Sequence, residues 1–95
     1  MRVPAVIRFD GQEYAGWLEV VEDRMRVSRL DGRDYTVPCR VDLDGEFDCP
    51  PGRVQGEALE AQAGGFILPV IVSHYDEDKN TVRVKSNGNP REATL

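Results

Sequence analysis

The chain has no Cys-x-x-Cys pair, a single histidine and no long apolar run. Without paired cysteines, a structural zinc site has no ligand set to stand on. The two cysteines, Cys39 and Cys49, lie ten residues apart. Two such thiols usually stay reduced in a cytosolic protein. Cys39 falls on the apolar parity of its segment and reads as a small buried hydrophobe, a Cys39–Cys49 cross-link being the geometric alternative. The longest apolar run, Phe66–Val72, has seven residues including Pro69, far short of the ~18–20 that span a bilayer. No charged-then-apolar secretory signal follows Met1, so a cytoplasmic protein is expected. There is no glycine-rich phosphate loop, and no serine or cysteine stands in a nucleophile motif. These gaps argue against an enzyme, and no cofactor is implied.

An excess of basic charge is also missing. The net charge is −5 over 95 residues. Residues 1–30 carry five basic and five acidic groups, and residues 66–95 carry four of each. The whole excess lies in residues 31–65, with eight acids against three arginines. An acidic surface repels phosphates and favours basic partners, so direct nucleic-acid binding is not expected. Asp31, Asp34, Asp42, Asp44, Glu46 and Asp48 are the candidate residues of an acidic, partner-binding face. The alternative is a solvated face that serves solubility.

What is present is alternation. Val3, Ala5, Ile7 and Phe9 share one parity; Tyr35, Val37, Cys39, Val41 and Leu43 share another; Val82 and Val84 follow. Such period-2 patterns specify half-buried strands. They are expected over Arg2–Phe9, Gln12–Glu22, Arg24–Leu30, Tyr35–Leu43, Phe66–Tyr75 and Thr81–Lys85. Pro38 suggests an edge or a break in its strand. Phe66–Tyr75 is apolar on both parities, as in a strand covered on both faces. Between the runs stand Asp10-Gly11, Asp31-Gly32, Asp44-Gly45 and Asn87-Gly88, dipeptides suited to primed turns because both residues tolerate positive φ. Gly16 predicts a bulge or a sharp bend. Residues 55–63 hold good helix formers ahead of Gly64-Gly65, which predicts a short helix there, with a strand through Val54–Glu60 as the rival. The fold class is mainly β, a small antiparallel barrel of six or seven strands over residues 1–86. Residues 87–95 read as a polar, flexible tail.

Four further patterns bear on function. Asp42–Asp48 gathers four carboxylates without the ligand series of a calcium loop, and reads as a hairpin turn with an acidic tip. His74, Asp76 and Asp78 alternate, which would suit a divalent cation and a metal-assisted hydrolase if that stretch stayed extended. Asp76–Asn80 reads instead as an inter-strand loop, which breaks the parity. Arg24 and Arg26 share a face, with Arg2 and Arg8 as potential neighbours; such arginines grip a phosphorylated ligand or merely discourage edge pairing. Trp17 opposes the parity of Tyr14, Leu18 and Val20, which makes it a candidate interface anchor, core packing being the alternative.

The opening Arg2-Val3-Pro4-Ala5-Val6-Ile7-Arg8-Phe9, followed by Asp10-Gly11-Gln12-Glu13-Tyr14-Ala15-Gly16, resembles the start of a PilZ domain. Members have an Arg-Val-Pro entry, a first strand, a short turn and a second strand that begins with an aromatic followed by glycine. The resemblance, detailed over residues 2–22, implies a six-stranded barrel acting as a cyclic-di-GMP receptor or, in degenerate members, as a docking adaptor. Of the family's ligand motifs, which are largely absent from this chain, Arg2 and Asp23 alone carry over; Arg24 and Arg26 are the neighbouring cations. Two readings therefore stand, on a PilZ-like or SH3-like barrel. The first is a protein–protein regulator, adaptor or inhibitor that meets a basic partner through the acidic face. The second is a degenerate cyclic-dinucleotide sensor using Arg2, Asp23, Arg24 and Arg26.

Overall fold

Asp10 and Gly11 take φ of 50° and 82°, so the chain reverses in two residues and Phe9 faces Gln12. This is the primed turn that joins right-twisted strands without splaying them. It links β1 (Arg2–Phe9) to β2 (Gln12–Val20). A computed structural model describes residues 2–20 and 43–92. In it follow β3 (Leu43–Asp48), β4 (Ala58–Ala63), β5 (Phe66–Asp76), β6 (Thr81–Ser86) and β7 (Arg91–Glu92). The segments expected over 24–30 and 35–42, with Pro38, Cys39 and the Asp31-Gly32 pair, lie outside the described residues.

The strands run β4-β1-β2-β3-β6-β5, and β5 pairs back onto β4. Six antiparallel strands thus close a barrel, which removes the free edges that an open sheet would expose. The seventh strand, β7, stands outside that closure, pairing Glu92 with Phe66 and Arg91 with Ile67. Arg91 also bonds Glu60 of β4. Two residues of the expected tail are therefore tied to the barrel wall.

Inward parity fills the barrel: Ala5, Ile7 and Phe9 from β1, Leu18 from β2, Leu43 and Phe47 from β3, and Val82 and Val84 from β6 are buried. From β5 come Phe66, Leu68, Val70 and Val72. Each large side chain removed from water in this way contributes about 1.5–3 kcal/mol. The outer parity of β5 is only half covered: Ile67, Pro69 and Ile71 are intermediate in exposure. Asn87 donates its N–H to the Pro69 carbonyl at 2.8 Å, which carries the β5–β6 ladder one step beyond Val70↔Ser86.

Three expectations are corrected. The helix over 55–63 is absent, because Ala58–Ala63 is strand β4, paired with β5 from Ala58↔Ile71 to Ala63↔Phe66. Ala61 and Ala63 are buried while Glu60 and Gln62 are exposed, so barrel packing overrides helix propensity. Gly64-Gly65 is the two-residue link between β4 and β5, not a helix end.

Asp44-Gly45 is not a turn. It sits within β3, with Gly45 opposite Leu18 and Asp44 opposite Glu19. Glycine is needed there because a Cβ would lie 2.5 Å from both Leu18 Cδ2 and the Trp17 carbonyl oxygen.

Gly16 makes no bulge. The ladders run through it in register, Ala5↔Gly16 and Gly16↔Phe47, and a Cβ would lie 2.5 Å from the Phe47 ring. The register shift of this barrel falls between Val72 and His74, where β5 meets β6.

Candidate functional site

Outward parity on β2 and β3 sets the site. Glu13, Ala15, Trp17 and Glu19 alternate with inward residues along β2, and Asp44, Glu46 and Asp48 do so along β3. The register places Trp17 between Pro4 of β1 and Glu46 of β3. Glu19 lies between Arg2 and Asp44. Beyond β3, Lys85 faces Asp44 and Arg83 faces Glu46. The three described members of the expected acidic set therefore share one outer face, strung along a strand rather than gathered on a hairpin tip. Asp31, Asp34 and Asp42 lie outside the described residues, as do Asp23, Arg24 and Arg26.

Trp17 is 48 % exposed. On a barrel whose other large apolar side chains are mostly inside, an indole on the outer wall is the expected form of an interface anchor. The Arg2 guanidinium carbon lies 5.3 Å from the Trp17 ring centroid, and Arg2 Nε lies 3.9 Å from Glu19 Oε2. Beside Trp17 an open groove runs over the outside of β1 and β4, lined by Pro4, Val6, Ala15, Gln62 and Ile67. Along it β1 and β4 pair only at Val6↔Gln62 and Ile7↔Ala61.

The carboxylates are not equivalent. Arg83 reaches diagonally past its ladder partner and donates to Asp44 Oδ2 at 3.2 Å. Asp44 Oδ1 is buried without a hydrogen-bond partner. Among the described residues, Glu46 and Asp48 have no ion-pair partner. Among the described residues, the negative charge of this face without an ion-pair partner thus sits on Glu46, directly across the ladder from Trp17, and on Asp48, two residues further along β3. Sequence reasoning missed Arg83 and Lys85, which flank the acids from a strand almost forty positions away.

The stretch after His74 does not stay extended, since β5 ends at Asp76 and β6 begins at Thr81. Asp76 Oδ1 accepts the N–H groups of Asp78 and Lys79 at 3.0 and 3.2 Å, an Asx-type turn that uses the carboxylate to cap its own loop. His74 is exposed and faces Arg83 across the ladder. Among the described residues, no three His, Cys, Asp or Glu side chains are grouped to hold a metal ion.

At one end of the barrel lies a second polar cluster. Cys49 is buried and its thiol is free. Burial pushes that thiol above its ordinary pKa, nearby Arg53 opposing the rise and Asp48 and Glu57 adding to it. Arg53 stands 5.1 Å over the Phe9 ring, pairs with Glu57 at 3.3 Å and lies 3.7 Å from Asp10. This reads as a polar lid on the core; no sequence pattern pointed to Arg53.

No protein-family model, curated protein or solved structure matches the chain.

Proposed function

We propose that the chain is a non-catalytic binding module, acting as a regulator, adaptor or inhibitor, whose outer β1–β2–β3 face docks a protein partner with a basic surface. One observation carries this reading: Trp17 stands exposed directly opposite Glu46, and Glu46 and Asp48 are unpaired among the described residues. An aromatic anchor supplies apolar area at small entropic cost, and unpaired carboxylates beside it select cations and steer their approach. The same carboxylates disfavour a phosphate backbone, so a nucleic acid is not the ligand proposed. A cytoplasmic protein is the setting that suits this role.

The test compares capture by the native chain, Trp17→Ala and the double variant Glu46→Lys/Asp48→Lys. The expected result is one partner retained by the native chain, weakened about tenfold or more by either variant, and released as salt shortens electrostatic reach. A captured set unchanged by both variants and by salt would contradict the reading.

A second reading is kept on one observation. The closed six-stranded antiparallel barrel is the architecture that the PilZ resemblance implies, and Arg2 stands at the head of its first strand. In that reading Arg2, with Asp23, Arg24 and Arg26, grips cyclic di-GMP. Titration calorimetry with cyclic di-GMP decides it: heat at tens of micromolar supports the sensor, and none removes it.

A further inference from the structure

We infer that Trp17 and Glu19 form a guanidinium site that Arg2 of the same chain occupies, and that a partner's arginine enters by displacing Arg2 and takes up Glu46 as well. The inference rests on the docking face described above and names what that face reads.

The chain supplies its own example of the ligand. Arg2 lays a guanidinium against the indole and reaches toward Glu19. Its side chain is 66 % exposed, so no enclosure holds it there. A contact of this kind on an open surface is weak and readily exchanged. Among the described residues, Arg2 makes no ion pair with Glu46 or Asp48. An arginine arriving from a partner stacks on the indole in place of Arg2 and gains Glu46, the carboxylate directly across the ladder that Arg2 leaves unused.

Arginine fits better than lysine. The guanidinium is flat, weakly hydrated and able to stack on the ring while its edge donates to a carboxylate. The ladder places such a carboxylate on each side of the ring position: Glu46 directly across from Trp17, and Glu19 two residues along the same face of β2. An ammonium is a strongly hydrated point charge that loses more on leaving water. Arg2 thereby acts as a built-in competitor, lowering the affinity of the face for stray cations and setting a threshold that a better-anchored arginine exceeds.

Trp17 is the one tryptophan of the chain, so its emission reports this site alone. Hexa-arginine and hexa-lysine are titrated into the native chain, Arg2→Ala and Arg8→Ala at low salt. Arg8→Ala is the charge control: it removes the same charge from the same strand, but Arg8 pairs with Glu13 at 2.8 Å rather than meeting the indole. The expected result is that hexa-arginine binds more tightly than hexa-lysine. Arg2→Ala should tighten hexa-arginine binding about two- to fivefold, with a clearly smaller change in Arg8→Ala. Equal gains in the two variants, no gain in Arg2→Ala, or equal binding of the two peptides would overturn the inference and leave the basic-partner face standing. No binding of either peptide to any variant would overturn both.

Discussion

Gly45 lies directly beneath Leu18, and a Cβ there would come within 2.5 Å of both Leu18 Cδ2 and the Trp17 carbonyl. The same contact that lets Leu18 fill the barrel also fixes the height of Trp17 and Glu46 on the outer wall, since Leu18↔Gly45 and Trp17↔Glu46 are consecutive pairs of one ladder. Gly45→Ala is expected to destabilise the fold by about 1–3 kcal/mol through overpacking. Urea denaturation measures it as a lower midpoint with an unchanged slope.

Arg53 closes the end of the barrel over Phe9 while pairing with Glu57. Its side chain is only 18 % exposed, so its stem contributes packing as well as charge. Arg53→Met keeps most of the stem and removes the cation. The expected loss is about 1 kcal/mol, the scale of one partly covered cation–π contact with its ion pair. Thermal unfolding of the two chains compares them. A variant as stable as the native chain would show that the lid is decorative.

Cys49 gives a pH dependence with a definite sign. Burial raises its folded pKa above the ordinary 9.0, so above that pH the unfolded chain holds fewer protons than the folded one. Stability from this group is intact below 9.0 and is lost as pH rises toward the folded pKa. The stability difference between the native chain and Cys49→Ala is therefore expected to shrink in the native chain's disfavour above pH 9.0, measured by urea midpoints across that range. Arg53→Met, by removing the charge that lowers the pKa, is expected to slow alkylation of Cys49 by iodoacetamide.

Local rules made part of this legible. Val3, Ala5, Ile7 and Phe9 alternate because one face of β1 meets the core, and Asp10-Gly11 turns because both residues adopt positive φ. The chemically identical pair Asp44-Gly45 does something else, because its glycine answers Leu18, a residue far away in sequence. Ala58–Ala63 likewise favours a helix by composition, and becomes β4 only because the barrel needs small side chains between β1 and β5. At the site, parity alone put Trp17 on the opposite face from Leu18. The division of labour among carboxylates, with Asp44 held by Arg83 and Glu46 left open, follows from β3–β6 register and had no local signal.

The exposed Trp17 beside Glu46 and Asp48 is the centre of the account, and one measurement reaches it most directly. A ¹⁵N-labelled chain with hexa-arginine added at low salt gives a single indole N–H resonance, because there is one tryptophan. The account predicts that this resonance moves on titration, together with the amides of Trp17, Leu18, Glu46 and Phe47, while those around Arg53 stay in place. An indole resonance that does not move, or shifts centred on Arg53 instead, would contradict it.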